Sequence, residues 1–263
     1  MPGQLKVDEP AEGVRRLTIS NPAKRNALDH PILDAIAAEV TRAPADGVRA
    51  LILTGENRMF SSGYDIGDIP PDLLAQEAEK LVAHPFTGAL QALDACDLPI
   101  VAALTGHTIG GGLELALACD LRVAADDIKL GMPPAKLGLV YSHTGLRRFI
   151  DAIGVPRTNE LFLLGTYIDA PRALDWGLVN ATAPAHDVGD SAQALAVTLV
   201  ANAPLSIHGN KRIIRALLRA EGELDADVVA ELVAVREACF VSDDFREGVA
   251  AFAEKRAPRW QGR

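Results

Sequence analysis

The sequence predicts an α/β fold in which mainly parallel strands alternate with helices and a helical region closes the chain. Three observations carry that expectation. Short apolar runs bounded by Gly, Pro or Asn recur between segments of helical periodicity. Strands separated by helices favour parallel pairing, because a parallel connection needs a crossover long enough to hold a helix. Near residue 190 the strand-like runs give way to alanine-rich helical segments, which divides the chain into an α/β core (1–190) and a helical region (191–263).

Taken in order, residues 14–20 are the first apolar run, with Val14, Leu17 and Ile19 inside it and Asn21-Pro22 as its stop. Asp29 stands as an N-cap with Pro31 in the first turn. Ile32, Leu33, Ile36 and Val40 then share one helical face. Residues 49–54 read as a buried strand closed by Gly55, and helices are expected at 73–81 and 86–93. Strands follow at 100–104, 121–125 and 128–130. Helical patterns resume at 146–153, at 158–164 with Thr158 as cap and Gly165 as stop, and at 169–176 with Gly177 just past the end. A short strand at 179–182 precedes the helical segments 188–202, 204–219, 224–240 and 244–254. Residues 228–235, with Phe240 and Phe245 behind them, are too apolar for a free tail, so this region is expected to join subunits.

Composition narrows the function. Apolar residues make up 49% of the 263 and charged residues 23%, which closes a sizeable core and excludes disorder. A formal net charge of −9 argues against nucleic acid or an anionic membrane as the main partner. Cys96, Cys119 and Cys239 form no Cys-x-x-Cys, so neither a disulfide framework nor a structural zinc site is expected. Residues 1–10 lack the apolar core of a signal peptide, and no run reaches the ~18 apolar residues of a membrane span. A cytoplasmic protein without metal or redox cofactor is the expectation.

The chemistry concentrates in residues 99–120. The apolar run 100–104 leads to Gly110-Gly111-Gly112, and Leu113, Glu114, Leu115 and Leu117 then continue as a helix. Glycines where a strand gives way to a helix leave backbone N–H groups approachable. The first N–H groups of a helix lack intrahelical partners, and the macrodipole there favours negative charge. Such a place either binds an anion, or an oxygen that becomes anionic during a reaction, or is merely a tight turn. No phosphate loop and no dinucleotide fingerprint is present, so a nucleotide cradle is not expected. Glu114 brings one carboxylate within a helical turn of the glycines. The loop 59–66, directly after a strand, is where ligands lie in open α/β sheets.

Together, Phe60-Ser-Ser-Gly-Tyr-Asp-Ile66, Gly106-x-x-x-Gly110-Gly-Gly-x-Glu-Leu-Ala116-x-x-Cys-Asp120 and Asp169-Ala-x-x-Ala-x-x-x-Gly-Leu-Val179 resemble the signatures of the crotonase (enoyl-CoA hydratase/isomerase) superfamily. Asn26-Ala-Leu28 and the tail from Glu247 to Pro258 are similar too, and the matches run in family order along nearly the whole chain. The resemblance implies a spiral of βαβ turns in two roughly perpendicular sheets, with C-terminal helices building a homotrimer or hexamer. It implies an acyl-CoA thioester as substrate, so that coenzyme A enters only as part of the substrate. It places an oxyanion hole on the backbone N–H groups of Tyr64 and Gly111. Lys24 or Arg25 would lie near the CoA nucleotide, with Phe252 and Lys255 closing over it from the same or a neighbouring subunit. Ala27, Ser62, Asp65, Ile66 and Gly110 would complete the substrate site.

The sequence departs from the family at one place. Hydratases of this family use two glutamates, and the first matches Glu114. The second belongs where Pro134 stands, and a proline offers neither acid nor base. The same loop instead carries Tyr141 in Leu137-Gly-x-x-Tyr141, similar to the loop of the methylmalonyl-CoA decarboxylase branch, whose tyrosine points at the substrate carboxylate. That branch carries a histidine at the position of Tyr64, so the likeness is partial. His143, two residues on, is a further acid–base candidate as well as an ordinary loop histidine. The first expectation is therefore hydratase-type lyase chemistry on Glu114 alone. The alternative is decarboxylation with Tyr141, and a non-catalytic or RNA-binding member of the fold is disfavoured by the charge and the intact glycines.

Overall fold

A computed structural model describes residues 3–65, 85–222, 226–259 and 261. Ile66 and the helix expected at 73–81 lie outside the described residues. The strands are β1 (Gln4–Ala11), β2 (Val14–Ser20), β3 (Ala50–Gly55), β4 (Met59–Ser61), β5 (Ile100–Leu104), β6 (His107–Ile109), β7 (Leu121–Ala125), β8 (Lys129–Gly131), β9 (Tyr167–Asp169) and β10 (Ala181–Ala183). The helices are α1 (His30–Arg42), α2 (Thr87–Ala95), α3 (Gly111–Leu117), α4 (His143–Leu164), α5 (Ala170–Asp175), α6 (Val188–Ala201), α7 (Pro204–Gly222), α8 (Ala226–Phe240) and α9 (Asp243–Ala253).

Two sheets result. One runs β1-β2-β3-β5-β7-β10, parallel throughout except for the antiparallel β1–β2 pair. The other runs β4-β6-β8-β9, parallel except for β9 at its edge. Every residue of β3 and β5 is buried, which explains why these strands read as unbroken apolar runs rather than as alternation. Helix α6 lies against β2, β3, β5 and β7, so the 190/191 division falls inside a helix that covers the large sheet. No helix among the described residues is long and apolar enough to cross a membrane.

The local signals act as their chemistry requires. Asp29 accepts a hydrogen bond from Ile32 N–H at the start of α1, and Asp169 accepts from Arg172 N–H at the start of α5. Gly165 and Gly177 take the left-handed conformation that ends a helix (φ +59° and +75°).

Three expectations need correction, and one strand carries no apolar signal. The segments 146–153 and 158–164 are two helical stretches, as their patterns predict, run together as α4 across a non-helical break at Gly154 (φ +76°). Thr158, however, is no cap, since its hydroxyl donates back to Gly154 O at 2.9 Å. The strand placed at 179–182 pairs only over β10. Phe240 and Phe245 are buried against each other, ring centroids 5.3 Å apart, and offer nothing to a partner. Strand β1 precedes the run at 14–20. It is a polar edge, tied to β2 by the ion pair Arg16–Asp8, and lacked an apolar signal for that reason.

Candidate active site

The loop after β4 and the start of α3 meet backbone to backbone. Tyr64 pairs with Leu28 in an isolated parallel bridge, in which Leu28 N–H donates to Gly63 O (2.8 Å) and Asp65 N–H donates to Leu28 O (3.1 Å). Peptide groups alternate along extended chain, so the N–H of Tyr64 itself faces away from Leu28. Gly63 (φ +95°) lies so close to α3 that a Cβ there would sit 3.2 Å from Gly111 N. Gly110, the residue before α3, holds φ +57° while its N–H donates to Gly131 O at 2.9 Å. Gly111 then opens the helix, where an N–H has no carbonyl one turn back. Tyr64 and Gly111, whose backbone N–H groups are the expected oxyanion hole, thereby lie on adjoining loops.

The Tyr64 ring lies flat on this junction. A Cβ on Gly111 would fall 2.9 Å from its Cε1, and the ring meets Phe86 edge-on with centroids 4.7 Å apart. Only glycine fits at 111 beneath it.

Glu114 projects from the first turn of α3 into the interior and is 2% exposed. Tyr141, 9% exposed, donates its hydroxyl hydrogen bond to Glu114 Oε2. Gly145 completes the packing, since a Cβ there would reach 2.5 Å from the Tyr141 ring and 3.0 Å from Glu114 Oε1. Burial raises the Glu114 pKa above the ordinary carboxylate value, against the opposing pull of the Tyr141 hydrogen bond and the Arg148 cation. Burial likewise holds the Tyr141 phenol well above its ordinary value, with Glu114 reinforcing the shift. In both groups burial disfavours the charged form. Behind them Arg148 of α4 binds Asp94 of α2 through two hydrogen bonds (3.0 and 2.8 Å).

Pro134 is buried in a 3-10 turn (Pro134–Leu137), so the position of the family's second glutamate holds an apolar ring. His143 is the first residue of α4, and Tyr141 rather than His143 reaches Glu114.

The remaining expected residues separate into two groups. Lys24, Arg25, Ala27, Ser62 and Asp65 come together: Ser62 N–H donates to Arg25 O at 3.1 Å, Ala27 N–H donates to Lys24 O at 3.1 Å, and Lys24 forms an ion pair with Asp65 at 2.7 Å. Phe252 lines a different groove, with Ala135, Lys136, Leu163 and Leu164, and Lys255 follows it just past α9.

Two features escaped the sequence. The resemblance assigns a role to the Tyr64 N–H alone, and nothing local in the sequence marks the packing of its ring on Phe86 and Gly111. The Asp94–Arg148 pair joins residues 54 positions apart on two helices, and no local pattern marks it.

Comparison with known proteins identifies the family. The family model described as enoyl-CoA hydratase/isomerase matches residues 9–263. A probable enoyl-CoA hydratase of Bacillus subtilis is 36% identical over 250 residues, 94% of each chain. Among solved structures, methylmalonyl-CoA decarboxylase in complex with 2-nitronate-propionyl-CoA superposes with a TM-score of 0.89 at 26% identity, covering 99% of both chains. Carnitinyl-CoA hydratase from Mycobacterium avium gives 0.82 at 32% identity, covering 100% of both. On its sequence signatures, its two-sheet fold and these likenesses, the chain belongs to the enoyl-CoA hydratase/isomerase family, the crotonase superfamily.

Proposed function

We propose that this enzyme is a lyase acting on acyl-CoA thioesters through a thioester enolate, and that its reaction is decarboxylation of a malonyl-type thioester. The observation that carries the choice is the pairing of Glu114 with the Tyr141 phenol, where a two-glutamate hydratase would have a second carboxylate. Water addition needs an ionised base, and burial opposes ionisation of Glu114. Decarboxylation needs no base. The bond from Cα to the carboxylate breaks, its electron pair moves onto the thioester oxygen, and CO2 leaves. Tyr64 N–H and Gly111 N–H hold that oxygen as charge builds, and rigid backbone donors need no reorganisation; each is worth roughly 3–4 kcal/mol in comparable enzymes. The enolate then takes a proton at Cα. A neutral Glu114 suits this chemistry, because an ionised one would repel the substrate carboxylate. Lys24 or Arg25 would meet the CoA phosphates.

Hydratase-type chemistry is the second reading, favoured by the name of the Bacillus subtilis relative and by Glu114 standing in its motif. Incubation with methylmalonyl-CoA and, separately, crotonyl-CoA, read by mass spectrometry, decides between them. Loss of CO2 from the first is the expected result. Gain of water by the second with the first untouched would replace decarboxylation by hydration.

A further inference from the structure

We propose that Arg148 is a positioning residue of the site and Asp94 its restraint: the two form a charge pair behind Glu114 that sets whether this carboxyl carries its proton. The consequence for the reaction rests on the enolate reading above, in which a neutral Glu114 suits decarboxylation and an ionised one suits water addition. The pair itself is a product of how three helices pack.

Glu114 of α3 faces the first turns of α4. A Cβ on Gly145 would lie 3.0 Å from Glu114 Oε1, so Gly145 marks the side of α4 turned to the carboxyl. Arg148 stands three residues on, on the same side of the helix. Long helical side chains lean toward the helix N-terminus, which lays Arg148 back over the turn that holds Gly145. Its ion pair is nevertheless with Asp94 of α2: Nη1 and Nη2 donate to the two Asp94 carboxylate oxygens at 3.0 and 2.8 Å. This two-point fit of a planar guanidinium to a carboxylate fixes the orientation of the cation. The remaining nitrogen, Nε, is buried with no acceptor among the described residues. A buried donor without an acceptor is costly, so stability alone does not account for the arrangement.

A cation beside a carboxyl favours the carboxylate, and an anion beside it favours the acid. Arg148 thus draws Glu114 toward ionisation, and Asp94, which holds the guanidinium and offsets its charge, draws it back. Burial acts on the side of Asp94, and the Tyr141 hydrogen bond on the side of Arg148. Tyr64 lies over Gly111 at the start of α3. Helix α4 also carries His143 at its first position and Arg147, which pairs with Asp151. The other elements packed on α3, β4 and β6, carry one titratable group, the exposed His107, whose Nδ1 accepts from Lys129 N–H.

The test is the titration of the Glu114 carboxyl, followed by carbon-13 NMR of glutamate-labelled protein and assigned by the signal lost in Glu114→Gln. Arg148→Met removes the cation and keeps an unbranched side chain, and the Glu114 midpoint is expected to move up. Asp94→Asn removes the anion and keeps an acceptor, and the midpoint is expected to move down. A merely structural ion pair would not separate the two, because losing either partner breaks the same contact. Asp94→Glu, which keeps the charge, should return the midpoint toward that of the wild type, and the Asp94 variants decide alone if Arg148→Met does not fold. On whichever of methylmalonyl-CoA and crotonyl-CoA turns over, the limb of kcat/KM against pH that Glu114→Gln abolishes should move in the same two directions. Shifts of one sign in both variants, or an unmoved midpoint in Asp94→Asn, would overturn the charge pair and leave the enolate reading standing. Turnover of neither probe by the wild type would overturn that reading, while the titration still decides the pair.

Discussion

Glu114 is the residue whose protonation decides what the site can do. Its pKa is raised in the folded chain by burial, whereas in the unfolded chain it ionises near ~4.3. The native state therefore gains most from this group below the unfolded pKa and loses that contribution as pH rises through the folded pKa. Glu114→Gln keeps an acceptor for the Tyr141 hydroxyl and removes the charge. Its melting temperature relative to wild type should thus rise as pH climbs from the unfolded pKa of about 4.3 through the raised folded pKa. A gap that is constant with pH would show that the carboxyl is not held neutral. Tyr141→Phe leaves Glu114 buried with no phenol to meet it. Steady-state kinetics on the accepted substrate should show kcat lower by roughly 10²-fold or more. Glu114 was legible in the sequence because it keeps a fixed distance from the glycines on one helix. The Tyr64 side chain was not, because its contacts with Gly111 and Phe86 exist only after separate stretches of chain have met.

Among the elements, α7 carries a tether that spacing could not disclose. Lys211, buried, donates to Leu98 O and to Asp120 Oδ2 (2.5 Å each), and the same Asp120 oxygen accepts from Ile100 N–H at 2.7 Å. One lysine thereby clamps the helix to the entrance of β5. Lys211→Ala strips Asp120 and the Leu98 carbonyl of that donor and should cost about 1–3 kcal/mol. Urea denaturation measures the loss, and amide exchange should locate it in α7 more than in α6. Equal midpoints and equal protection would remove the clamp from the account. The longer elements were readable because their burial imposes a pattern: α1 shows one apolar face, and β3 and β5 are apolar throughout. Strands β4, β6 and β9 have three residues each, too few for any period, and are defined by their neighbours alone. The break in α4 is legible as well, because Gly154 and Pro156 interrupt the helical pattern and the backbone at Gly154 is indeed non-helical.

At the scale of the whole molecule, α7 leaves Leu205, Ile213, Ile214 and Leu217 exposed, Leu205 at 87%. Such a face asks for a partner. With the family resemblance, it leads to the expectation that light scattering gives a mass that is a multiple of three chains, and that Ile213→Glu with Leu217→Glu yields smaller species. A wild-type monomer at micromolar concentration would contradict this. The order of motifs along the chain disclosed this architecture more fully than periodicity did, since motif order survives where short strands leave no pattern.

The central claim is that two backbone N–H groups stabilise an enolate oxygen, and the most direct measurement is a comparison of affinities. Calorimetry with propionyl-CoA and with 2-nitronate-propionyl-CoA sets a neutral thioester against an anion that spreads charge toward the thioester oxygen. The anion is predicted to bind at least about 10²-fold more tightly, the lower bound for a mimic of the reacting state. Equal affinity for the two would contradict the account.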